Sequence, residues 1–151
     1  NDFDVTQCAM LSDEEIEKLS SNTDIVRHAT KIASVRANAL YILDVRAEYG
    51  SFGAFLADWP ASDFIGLWSH LKKNGSRLGG QSGRYCLRFL GYDTPLLSRD
   101  VVSALISAGI VDKEPTNKKE LAATQDAFNI WREQSNRSAR EISRILAFSM
   151  G

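Results

Sequence analysis

The chain has 151 residues, 44% of them hydrophobic and 25% charged, with a net charge of −1, which fits one domain able to bury its own core without a disulfide or metal staple. No apolar run approaches the roughly 20 residues of a membrane span. Cys8 and Cys86 form no CxxC pair and no dense pattern, excluding a disulfide scaffold and making a reducing, cytoplasmic setting the expectation.

Helix signals dominate in chain order, and no alternating run supports a strand, so the fold class expected is all-α. Asn1-Asp2-Phe3-Asp4 reads as the middle of a fold, and the chain is expected to be N-terminally truncated. Ser12-Asp13-Glu14-Glu15 is a capping box opening a short helix to about Leu19, with Asn22 and Thr23 beyond its end. Ile25, Ala29, Ile32, Ala39, Leu40 and Leu43 recur at helical spacing and predict the longest helix over 24–49, kinked early and stopped by Gly50. Ser51 to Ala57 predicts a short helix ended by Trp59-Pro60. Another runs from Ser62 or Asp63 to Lys73, followed by breaks at Asn74-Gly75 and Gly79-Gly80 and a helix from Gln81 to Leu90 with Gly91 as its stop. Ser98 caps the next helix to Ala108, Thr116 caps one to about Gln134, and Ser138-Ala139-Arg140-Glu141 is a second capping box. Trp59, Trp68, Phe89, Phe128, Trp131 and Phe148 are assigned to the core, and Cys86 is read as a small buried hydrophobe. His28 and His70 are isolated.

The segment from about 61 to 91 is the most informative, because two helices flank a glycine-rich hairpin. Leu78-Gly79-Gly80-Gln81-Ser82-Gly83 places three glycines at the mouth of a helix. Without a Cβ, the backbone N–H groups of Gly79, Gly80, Ser82 and Gly83 can approach a phosphate, and the helix dipole favours its charge. Leu78 is the apolar peg tying the hairpin to the core. The sequence pI near 6.2 argues against an indiscriminate nucleic-acid binder, but the distribution of charge is uneven. Residues 1–24 carry seven acidic side chains against Lys18, whereas 71–99 carry Lys72, Lys73, Arg77, Arg84, Arg88 and Arg99 against Asp93 alone. Lys72, Lys73, Arg77, Arg84 and Arg88 are therefore candidate phosphate contacts, although only some can point outward together. The competing reading is a tight helix-helix turn beside a solvated charged face.

Ile25-Val26-Arg27-His28 with Lys31-Ile32, Tyr49-Gly50-Ser51-Phe52, and above all Leu71-Lys72-Lys73-Asn74-Gly75-Ser76-Arg77-Leu78-Gly79-Gly80 resemble the helix-hairpin-helix DNA glycosylases. The branch they resemble most is that of bacterial 3-methyladenine DNA glycosylase I, and the likeness extends to Ser98-Arg99-Asp100-Val101-Val102 and the tail from Ile142 to Ala147. The resemblance implies base-excision repair of double-stranded DNA, with hydrolysis of the N-glycosidic bond of an alkylated purine such as 3-methyladenine. It also implies Asp100 as catalytic carboxylate, since an aspartate in that superfamily follows the hairpin by this interval and stabilises positive charge on the sugar. On the residues alone, Asp100 equally serves a helix dipole. Glycosylases that also cut the strand use a lysine just after the hairpin. None lies between Asn74 and Arg99, and Tyr85 follows Arg84 there, so a monofunctional reaction is expected.

Two departures from the family pattern stand out. The family's N-terminal helices, with a phenylalanine-glutamine-alanine-glycine stretch near the base pocket, have no counterpart in the chain. Its zinc-binding cysteines and histidines are not matched by Cys8, Cys86, His28 or His70, so no metal and no zinc is expected. A monovalent cation on hairpin carbonyls is compatible with the residues without being demanded by them. The chain is expected to act as a monomer without a membrane partner. The alternative functions are a non-catalytic helix-hairpin-helix DNA-binding module and a helical protein-interaction domain.

Overall fold

The computed structural model describes residues 2–150; Asn1 and Gly151 lie outside the described residues. Among these, the architecture is all-helical: α1 (Val5–Ala9), α2 (Asp13–Ser21), α3 (Ala29–Tyr49), α4 (Phe52–Asp58), α5 (Phe64–Asn74), α6 (Gly80–Phe89), α7 (Arg99–Ser107), α8 (Lys118–Ser135) and α9 (Ala139–Phe148). The capping boxes at Ser12 and Ser138 are both formed, with Glu15 and Glu141 closing them. Gly50 and Gly91 stop their helices at positive φ, +79° and +85°.

Several sequence expectations are corrected. The helix expected over 24–49 begins only at Ala29, where His28 is the N-cap and its Nδ1 accepts from the Lys31 N–H at 3.4 Å. Ile25 and Val26 remain exposed, so no packed face offsets the cost of extending the helix back to them. Within α3 the buried residues are Ile32, Ala39, Tyr41 and Val45, while Leu40 is half exposed. Asn117 rather than Thr116 caps α8, its Oδ1 accepting from Glu120 while the Glu120 carboxylate accepts from both Thr116 and Asn117. α1 was not expected at all, since five residues carry no readable periodicity; Asp4 caps it and Cys8 is buried.

The core is built around α5. Phe64, Leu67, Trp68 and Leu71 on its inner face are joined by Phe55, Leu87, Val101, Leu105, Phe128 and Ile142. Contacts between α1 and α3 and between α2 and α3 attach the first two helices, and Arg36 clamps them by pairing with Asp13 at 2.7 Å and donating to the Leu11 carbonyl at 2.9 Å. The segment between α6 and α7 is fixed from two sides. The Trp68 indole N–H donates to the buried Thr94 hydroxyl at 2.8 Å, and the Ser143 hydroxyl both accepts from the Leu96 N–H and donates to the Leu96 carbonyl. Phe89 and Phe148 depart from the core assignment: both are largely exposed, because each sits at the last residue of its helix, past the buried stripe.

Candidate nucleic-acid interface

α5 and α6 pack against each other and are joined by the five residues 75–79. Leu78 packs against the core cluster from this connection. Asn38 on α3 braces it: its Oδ1 accepts from the Ser76 N–H at 2.7 Å and its Nδ2 donates to the Ser76 carbonyl at 3.0 Å. Nothing in the sequence marked Asn38, whose partner lies 38 residues away. Asn38→Ala should remove both bonds and leave two partly buried backbone groups unpaired, a loss of about 1–3 kcal/mol. Chemical denaturation checks this; an unchanged midpoint would mean that water replaces the amide without cost.

Two glycines are required here for different reasons. Gly80 has φ +62° with open space where a Cβ would go, so its constraint is backbone conformation. Gly83 is buried in the first turns of α6, and a Cβ there would overlap the Leu78 carbonyl oxygen. That glycine lets the helix close onto the turn.

The N-terminus of α6 differs from those of the other eight described helices. Each of those begins on a side chain that accepts a first-turn N–H. α6 begins on Gly79 with no side-chain cap. Its leading N–H groups and positive dipole end are thus left for another acceptor. Lys72 and Lys73 are exposed on the last turn of α5, with the Lys72 stem packed against Gly79. Arg77 is exposed at φ +61°, and Ser82 is exposed on the first turn of α6.

Arg84 is placed otherwise. It is partly buried, its guanidinium carbon lies 4.0 Å from the centre of the Trp68 ring, and its Nε is buried without a partner among the described residues. Burial holds its pKa down at about 10, opposed by the charge of Glu114, so it stays a cation at neutral pH. Its positive charge is therefore held against the Trp68 ring, whereas Lys72 and Lys73 are exposed to solvent.

Asp100 stands exposed in the first turn of α7. The capping of that helix is performed by Ser98, whose Oγ accepts from the Val101 N–H at 3.3 Å, so the Asp100 carboxylate is not spent on a cap. Gln81 links the two helix starts: its Nε2 donates to the Leu97 carbonyl at 2.6 Å, tying the second residue of α6 to the residue before the α7 cap. Sequence reasoning missed this glutamine, whose only signal was its place in the glycine run. His70 packs among Tyr41, Phe55 and Trp59, and burial lowers its pKa. A cleft of about 280 Å³ opens beside it between α3 and α5, lined by Tyr41, Asp44, Glu48 and Asn74.

No helix among the described residues is long and apolar enough to cross a membrane. No curated protein and no solved structure matches the chain. A family match covers α1 to α5 and ends on the first residue of the connection, leaving α6 and Asp100 beyond it. Residues 1–75, just under half of the chain, match the methyladenine glycosylase family, and the all-helical architecture fits that likeness.

Proposed function

We propose that the chain acts as a monofunctional base-excision glycosylase that hydrolyses the N-glycosidic bond of an alkylated purine such as 3-methyladenine. The observation that carries this reading is the family match over residues 1–75, which supports a glycosylase of the hydrolase class. The uncapped start of α6 and its tie to the base of α7 support the finer mechanism.

In this reading α5, the connection and α6 form a helix-hairpin-helix. A backbone phosphate of duplex DNA sits against the N–H groups of Gly79, Gly80, Ser82 and Gly83, with Lys72, Lys73, Arg77 and Arg84 supplying positive potential. The damaged nucleotide rotates out of the stack, at a cost of a few kcal/mol that is least for a weakly paired base. As the C1′–N bond breaks, its electron pair leaves with the base and positive charge develops on the sugar. The Asp100 carboxylate stabilises that charge and orients a water, whose oxygen bonds to C1′ while its proton passes to the carboxylate. With no lysine between Asn74 and Arg99, no amine attacks the sugar and the product is an abasic site in an uncut strand.

The test is release of free base from methylated duplex DNA by the longest native chain, followed by strand analysis. Time-dependent release with an intact strand is the expected result. Duplex binding without release would replace the enzyme reading by the binding-module reading. The hairpin is tested by Gly80→Val, which strains the +62° φ. Loss of one phosphate contact should reduce the slope of log K on log salt by about 0.9. An unchanged slope would remove the hairpin from the interface.

A further inference from the structure

The outer face of α6 is not used by a phosphate held at its N-terminus. Tyr85 and Phe89, one turn apart, stack with ring centroids 6.4 Å apart and planes inclined by 29°. They are 48% and 87% exposed, so two apolar rings stand together in water without serving the core. Beside them Arg88 donates to the Thr94 carbonyl at 2.9 Å. The adjacent Asp93 carboxylate accepts from the Ala139 and Arg140 N–H groups at 3.0 and 2.9 Å. The two neighbouring residues thus seat the first turn of α9 beside the last turn of α6.

This seating brings Arg140, and one turn later Arg144, towards Arg88, and both are exposed. None of the three arginines makes an ion pair among the described residues. The nearby carboxylates are already engaged, Asp93 by the α9 N–H groups and by Arg132 at 3.7 Å, and Glu141 by Ser138. Partial burial, and after it the like charges of Arg140 and Arg144, hold Arg88 below the usual arginine range. Cations gathered in this way repel one another until an anion joins them.

Three neighbouring arginines beside stacked, exposed rings match a backbone of phosphates whose bases are free to stack. In a duplex the base faces are already covered, and an acidic protein surface would leave the rings unused. We propose that the α6–α9 face binds an unpaired nucleic-acid strand, with Arg88, Arg140 and Arg144 on its phosphates and Tyr85 and Phe89 stacked on its bases. Arg88 lies about 12 Å along α6 from Gly80 at 1.5 Å per residue. The face is therefore separate from the hairpin and requires no glycosidic chemistry.

The test is fluorescence anisotropy of a short labelled oligothymidylate titrated with the full chain across a salt series, beside a blunt duplex. Arg140→Gln with Arg144→Gln should weaken oligothymidylate binding at least about 10-fold and reduce the salt slope by about 1.4, the loss of two single-strand phosphate contacts. Tyr85→Ala with Phe89→Ala should weaken it at least about 30-fold at every salt concentration and leave the slope unchanged. All four residues are exposed, so both variants should retain the wild-type melting profile. Wild-type oligothymidylate binding by both variants would overturn the proposal, as would equal displacement of the strand by an oligoglutamate peptide. Failure of the hairpin reading is distinguishable, because it would appear as duplex binding indifferent to Gly80→Val.

Discussion

Asp100→Asn should lower the rate of base release from methylated duplex by about 10²–10⁴-fold, the range usual for a positioned acid-base group. The substitution keeps shape and hydrogen-bonding capacity while removing the charge that would face the oxocarbenium-like sugar. Its selectivity follows from the setting of the residue. Asp100 is exposed, Ser98 already caps α7, and no described residue pairs with the carboxylate. Folding stability should therefore change by no more than about 0.5 kcal/mol. Duplex affinity should hold or tighten, since a negative charge near phosphate is lost. Single-turnover release measured beside duplex binding separates the two effects. Equal release rates in variant and parent would remove Asp100 from the chemistry.

Gly83→Ala should be the most damaging small substitution in the connection between α5 and α6. The added methyl overlaps the Leu78 carbonyl oxygen, which is backbone and cannot turn aside. Either the first turns of α6 or the peg residue Leu78 must move from the core. A cost near 3 kcal/mol, the upper part of the overpacking range, is expected. For a chain of this size that is a fall in melting temperature of about 6–12 °C. Gly80→Ala is the internal comparison, because its Cβ meets open space and only the +62° φ is strained. Its cost should be about 1–2 kcal/mol. Similar melting temperatures for the two variants would show that close packing at Gly83 is not what holds the turn.

The two glycines also show how far the sequence reaches towards the site. A glycine-rich turn between two helices with basic flanks was readable from spacing alone. That one glycine serves conformation and the other serves contact was not, because the difference depends on where the Leu78 carbonyl lies. Arg84 and Lys72 looked equivalent as charges along the chain. Packing placed one guanidinium on the Trp68 ring and left the other side chain in solvent. Phe89 and Phe148 read as core residues by helical spacing and apolar neighbours, yet each falls past the end of the buried stripe on its helix.

Most helix ends were determined by the sequence itself. A cap joins a side chain to an N–H three residues ahead, as at Ser12, Ser51, Ser98 and Ser138, and a proline or left-handed glycine acts within one turn. Such signals require nothing from the rest of the fold. Where the helix boundary depends on whether a face is buried, as between Asp24 and His28, local signals failed and packing decided. The all-helical class was legible for the same reason, since it is the sum of local preferences. The Asn38 brace, the Gln81 tie to Leu97 and the seating of α9 on Asp93 join residues 38, 16 and 46 to 47 positions apart. Only the tertiary structure could decide these, because a hydrogen bond across that separation forms once the core has fixed both ends, and no residue type announces its partner.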